Sequence, residues 1–225
     1  MVNPLLLPAN EAERLLALRG YRIVGTAREK LFDQVALITA RLFQTPLALV
    51  SLVEEKEVWF KAAQGLTDVD RLPRQNSLCS AAILNDHLTI FEDLQRHPCE
   101  LVNSEVAEQL NLRFYAAQSL TTSDGHNIGA LCIIDHTPRT LPAPERAVLA
   151  QLAQLVTLLI ELRASAIEAG MAPAYWRTVE QVTTQPLRQL LIVTNRLRRT
   201  ESRIAREQLW QTVLGIIAET SQKLS

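Results

Sequence analysis

The side chains in this chain that could do chemistry are three cysteines, one well-placed arginine and a few aromatic rings. Cys79, Cys99 and Cys132 are odd in number and have no metal-site spacing. Cys79, in SLCSAAIL, falls at the start of a short predicted helix, whose dipole lowers a thiol pKa. It reads either as a redox or covalent-attachment site or as a small buried residue. Cys99 and His97 offer ligands for a metal or haem, but Pro98 stands between them in a loop and two further ligands are missing. The other reading is a pair of solvated loop residues. Cys132 lies in an apolar strand and reads as core. Trp59 and Phe60 point to opposite faces of one strand, so one packs inside and the other is free to stack on a planar ligand or a partner helix. Arg113 and Tyr115 share the parity opposite to Phe114; Arg113 suits a clamp on a carboxylate or phosphate, or a pair with Asp93 or another acid. Trp59, Phe60, Cys79, Phe91, Arg113 and Tyr115 are the expected ligand-binding residues, because pockets are mostly apolar with a few convergent polar groups.

No arrangement of nucleophile, base and oxyanion donors is legible. Glycine is scarce, at 7 residues, and neither GxGxxG nor GxxxxGK[ST] occurs, so no phosphate-cradling loop is expected and neither is catalysis. No metal site is expected, and no pattern names a cofactor. A formal net charge of −1 gives no global attraction to nucleic acid or to an acidic membrane. The odd thiol count points to a reducing, cytoplasmic setting. The opening MVNPLLLPANEAERL lacks a basic region and makes a poor signal peptide. Residues 149–162 come nearest to a membrane span, but Gln151, Gln154, Thr157 and Glu161 interrupt them, short of the roughly 18 apolar residues required.

The elements that must hold these residues are organised around 112–141, LRFYAAQSLTTSDGHNIGALCIIDHTPRTL. Apolar runs over 113–120 and 128–135 flank a polar turn with Asp124-Gly125, a hairpin signature. Ile128, Ala130, Cys132 and Ile134 should share one face of the second strand, Leu131 and Ile133 the other, so that strand should be covered on both sides. Upstream, Asn10 is a candidate cap for a helix ending near Gly20. A second helix is expected over 27–44, with a stripe of Leu31, Val35, Ile38 and Leu42, stopped by Pro46. Strands follow at 47–53 and 58–64. A polar loop at 67–76 is a candidate lid. Ser77 caps a short helix over 78–84, 88–91 is a short strand, and 98–111 reads as helical.

In this order the segments EAERLLALRGYRIVGTAREKLFDQVALITARLF, TPLALVSLVEEKEVWFKAAQGL, LPRQNSLCSAAIL and LRFYAAQSLTTSDGHNIGALCIIDHTPRTL resemble a GAF domain of bacterial signalling proteins, over roughly 10–164. The resemblance implies an α+β fold, an antiparallel sheet flanked by helices, with a pocket between the sheet and the loops around the short helix. It implies a non-catalytic sensory or interaction module that binds a small molecule or a signalling protein. Two stretches depart from the family near that pocket: Ala117-Gln118-Ser119-Leu120, where many relatives carry a Gly-Ala-Pro-Leu-like run, and 93–112, with Arg96-His97-Pro98-Cys99. Ligand identity therefore does not carry over. Bilin-attaching relatives place a Cys-His pair ahead of the last hairpin; Leu112-Arg113-Phe114-Tyr115 has neither. Some GAF domains reduce free methionine sulfoxide with cysteines, an alternative that three scattered cysteines permit. A ligand-free interaction scaffold is another.

Residues 1–168 are expected to form the sensor domain, closed by a helix over 144–167, and 169–225 a helical dimerisation tail. Gln181-Val182-Thr183-Thr184-Gln185-Pro186-Leu187 resembles the phosphoacceptor box of histidine-kinase dimerisation hairpins, with Gln181 where the histidine belongs. Leu190, Leu197 and Ile204 recur every seven residues, and the apolar phase then shifts to Leu209, Val213 and Ile217, which fits a turn near 200–203. A two-helix hairpin leaves an apolar seam open, so a homodimer through a four-helix bundle is expected, with folding back onto the sensor domain as the alternative. Arg196, Arg198, Arg199, Arg203 and Arg206 cluster near the hairpin tip, either for an acidic partner or anionic surface or as a solvated helix face.

Overall fold

The computed structural model describes residues 3–103 and 105–224, the side chains of residues 172 and 173 excepted. The chain runs α1 (Glu11–Gly20), α2 (Lys30–Phe43), β1 (Leu47–Val53), β2 (Glu57–Gln64), β3 (Arg71–Pro73), α3 (Leu78–Ala82), β4 (Thr89–Phe91), α4 (Glu105–Gln109), β5 (Phe114–Thr121), β6 (Asn127–Asp135), α5 (Ala143–Glu168), α6 (Ala172–Arg199) and α7 (Arg203–Leu224). The strands form one antiparallel sheet in the order β3-β2-β1-β6-β5-β4.

The two central strands explain the layering. All seven residues of β1 are buried, and β6 is buried from Ile128 to Ile134. Apolar runs of this kind need cover on both faces. One face meets α2 and α5, with Val50, Leu52, Phe114, Leu131 and Ile133 in their core. The other carries Leu49, Phe60, Tyr115, Ala130, Cys132 and Ile134 beneath α3 and the 94–113 segment. The expected parity of β6 holds except at Ile128, which lies in the core with Leu131 and Ile133. The ladder explains this: pairing slips between Leu120 and Thr121, so Leu120 faces Gly129 while Thr121 faces Asn127. The unpaired Ile128 is turned to the other face, as an extra bulge residue is. Gly129 is needed for another reason. A Cβ there would lie 2.0 Å from the Ser51 carbonyl oxygen of β1.

The polar stretch 67–76, expected as a candidate lid, contains the edge strand β3 and a short helical turn. Its Arg74 is wholly buried; the guanidinium binds the Glu11 carboxylate and the carbonyls of Leu6 and Glu54. Asn10 makes no side-chain cap on α1 and instead meets His126 Nδ1 at 3.3 Å. Of the helix expected over 98–111, only Glu105–Gln109 is helical, with residue 104 outside the described residues.

The C-terminal hairpin lies on the rest of the chain. α6 packs along α2 and α7 along α5, and the two also contact each other. Trp176 stacks on Phe32 with ring centroids 6.1 Å apart, and Val179, Leu187, Leu190, Val193 and Leu197 join the core of the α2–α5 face. The seam that led to the expectation of an intermolecular bundle is thus covered by α2 and α5 of the same chain, the fold-back arrangement. Ile204 is not in that seam; it lies past the turn and is 72% exposed. α6 continues through Pro186. The 26-residue α5 is long and apolar enough to cross a membrane, but it sits between sheet and hairpin as a core helix.

Candidate functional site

The face of the sheet beneath α3 holds most of the candidate residues. β4 pairs with β5 so that Phe91 lies opposite Tyr115, and their ring centroids are 6.3 Å apart. Ser77 caps α3, its Oγ accepting from the Cys79 amide at 3.3 Å. Ser119, in the run that departs from the family, places its Oγ 2.7 Å from the Asn85 carbonyl and 3.0 Å from that of Ala82, holding the far end of α3 to β5.

Between α3, the 94–102 segment, α4 and the start of β5 opens a cavity of about 480 Å³. Its walls are Leu78, Leu94, Pro98, Cys99, Val102, Ala107 and Leu112, with polar groups from Gln95, Glu108, Asn111 and Arg113. A smaller apolar cavity of about 50 Å³ lies against the sheet, lined among others by Leu47, Leu49, Phe60, Cys79, Tyr115 and Ile134. Leu78, Val102, Ala107 and Leu112 line both.

The six expected residues therefore separate. Arg113 lines the larger cavity; Phe60, Cys79 and Tyr115 line the smaller. Phe91 packs on Tyr115 and lines neither. Trp59 lies on the opposite face, among the α2–α5 core, with Lys61 Nζ 5.6 Å from its ring. The alternation of a strand put Trp59 and Phe60 on different faces, and both are buried: Trp59 in the core against α2, Phe60 in the core of the other face. Most of the larger cavity's lining comes from 94–112, none of which was among the expected ligand-binding residues; the departure of this stretch from the family pattern is the signal that could have found it.

Arg113 is committed to Asp93. Nε and one terminal nitrogen donate to the two carboxylate oxygens, each at 2.9 Å. Arg113 beside it, helped by the Gln95 amide and Arg96, holds the Asp93 carboxyl below the usual carboxylate range. An anion entering the cavity meets a neutralised pair instead of a free guanidinium. The Leu94 amide also donates to the Arg113 carbonyl at 2.6 Å, so the cavity rim is tied to β5 by backbone and side chain together.

The sulfurs of Cys79 and Cys132 lie 3.9 Å apart, and the Tyr115 hydroxyl donates to Cys79 Sγ at 3.5 Å. The Cys79 thiol is held below its ordinary pKa, first by Cys132 and then by Ser51, Tyr115 and Ser77, against the opposing effect of burial. The expected helix dipole is not needed, since α3 is only five residues long. Cys132 is pushed up by Cys79 and by burial, and Tyr115 by burial. Nothing in the sequence pairs Cys79 with Cys132; only the docking of α3 over β6 does. Cys99 is half-buried on the larger cavity and His97 is exposed. Among the described residues, no three His, Cys, Asp or Glu side chains gather to hold a metal ion. Of the arginine cluster, Arg196 and Arg199 line an open cleft at the hairpin tip.

Comparison with known proteins agrees with this architecture. Over 151 residues the chain is 34% identical to a cyclic di-GMP phosphodiesterase of Pseudomonas aeruginosa, a match spanning 66% of this chain and 25% of that protein. The chain thus spans about a quarter of the length of this curated relative. Among solved structures, the GAF domain of an Acinetobacter phosphoenolpyruvate-protein phosphotransferase superposes with a TM-score of 0.51 at 15% identity, covering 70% of this chain and 97% of that one. A domain assigned to a two-component sensor histidine kinase of Sinorhizobium meliloti 1021 superposes with a TM-score of 0.52 at 18% identity, covering 64% and 98%. Residues 27–160, which hold the sheet, both cavities and most of α5, match the GAF domain family, and the chain belongs to it.

Proposed function

We propose that this chain is a non-catalytic sensory module that binds a small neutral or zwitterionic ligand in the cavity beneath α3 and α4. The observation that carries the reading is that cavity: about 480 Å³, apolar walls, and a few polar groups at Gln95, Glu108, Asn111 and the Arg113–Asp93 pair. Cavities of this size and composition suit a metabolite-sized molecule. The neutralised arginine favours a neutral or zwitterionic ligand over a phosphate. Likeness to a quarter of a cyclic di-GMP phosphodiesterase supports a regulatory place beside a separate output unit. In this reading α6 and α7, packed on α2 and α5, carry the change from sensor to partner. The proposal includes a homodimer through the outer face of that hairpin, its inner face being occupied.

A thermal-shift screen of the full chain against nucleotides, amino acids and other metabolites tests the ligand. A hit is expected to lose its shift when Leu112→Glu places a carboxylate in the cavity wall. No shift with any compound would leave the ligand-free scaffold as the better reading. Sedimentation velocity over a concentration series tests the dimer; a monomer at every concentration removes it.

A further inference from the structure

The geometry points to Cys79 and Cys132 as a reversible dithiol–disulfide site, oxidised by hydrogen peroxide or a small organic hydroperoxide. Three observations carry it. The sulfurs are 3.9 Å apart, so a disulfide of about 2.05 Å needs an approach of about 2 Å. The two cysteines play unequal parts: Cys79 lines the small cavity, whose volume of about 50 Å³ is enough for a peroxide-sized molecule, whereas Cys132 is fully enclosed on the central strand. The Tyr115 hydroxyl donates to the Cys79 sulfur at 3.5 Å, a contact that favours a thiolate there.

The chemistry balances in two steps. The Cys79 thiolate attacks the terminal peroxide oxygen; the S–O bond forms as the O–O bond breaks, and the leaving hydroxide, or the alkoxide of an organic hydroperoxide, takes up the proton that the thiol released and departs as water or an alcohol. Cys79 is then a sulfenic acid, oxidised by two electrons. Cys132 sulfur attacks Cys79 sulfur; the S–S bond forms, the S–O bond breaks, and the departing hydroxide takes the Cys132 proton and leaves as water. A thiol reductant restores the pair by exchange. Because β6 is the central strand and α3 is five residues long, the approach must come mainly from α3. Leu78 on α3 lines both cavities, so oxidation reshapes them. The site stands whether or not the cavity has a ligand.

The test is treatment of the full chain with hydrogen peroxide, quenching by alkylation, digestion without reduction and mass spectrometry. The expected product is a cross-linked pair of Cys79 and Cys132 peptides, lighter by two hydrogen atoms, abolished by dithiothreitol and formed equally in Cys99→Ser. Cys132→Ser is expected to stop at a sulfenic acid on Cys79, trapped by dimedone. Oxidation of the unaltered chain confined to Cys99, or Cys79 passing to sulfinic acid while Cys132 stays reduced, overturns the proposal whatever the variants do.

Discussion

The indole of Trp210 on α7 sits with its ring centroid 5.7 Å from that of Phe43 on α2. The two residues come from opposite ends of the chain, and Trp210 is only 5% exposed. This contact joins the C-terminal hairpin to α2. Trp210→Ala is expected to lower the stability of the whole chain by about 3–5 kcal/mol, the usual cost of deleting a buried large aromatic. Urea unfolding followed by far-UV circular dichroism checks it. A single transition shifted to lower urea is expected; two transitions, only the hairpin's moving, would show that the tail folds as a separate unit.

The thiols should react in a fixed order. Cys99 is half-buried beside an open cavity, Cys79 is 2% exposed and Cys132 is 0% exposed. Native alkylation followed by mass spectrometry is expected to label Cys99 first and Cys132 only on unfolding. Equal rates for Cys99 and Cys132 would contradict the covered strand.

The Asp93–Arg113 pair should make the cavity rim sensitive to acid. The Asp93 carboxyl is lowered in the folded chain, so its contribution is present above the unfolded pKa of about 3.9 and is lost as pH falls through the lower folded value. The stability difference between the unaltered chain and Asp93→Asn should therefore be constant near neutrality and shrink below about pH 4. Urea titrations from pH 3 to pH 7 measure it. A difference that grows toward low pH would mean the pair does not hold as drawn.

Gly129→Ala should be costly for its size. The added Cβ would meet backbone on the neighbouring central strand, 2.0 Å from the Ser51 carbonyl oxygen, where no side chain can swing away. A loss of about 1–3 kcal/mol is expected, the range for overpacking a filled core. Gly20→Ala is the control, since nothing lies within 4 Å of the Cβ it would add. If the two substitutions cost the same, the close approach of β1 and β6 is not what requires glycine.

Much of this fold is written locally. LALVSLV and IGALCIID are apolar on both faces, so they had to become central strands, and Asp124-Gly125 turns the last hairpin with Gly125 at a φ of 84°. Side-chain alternation separated Arg113 and Tyr115 from Phe114, and the structure keeps them on opposite faces. These are effects of periods two and 3.6, which neighbouring residues settle among themselves. The tertiary structure decided what such periods cannot express. A bulge moved Ile128 to the other face, since an extra residue reverses parity without a mark in composition. Docking against α2 sent Trp59 into that helix's core and left Phe60 buried on the other face, beside the small cavity. An apolar stripe on α6 and α7 states only that it must be covered; α2 and α5 of the same chain cover it here. Cys79 and Cys132 became neighbours because α3 lies across β6, a contact between residues far apart in sequence that no local pattern encodes.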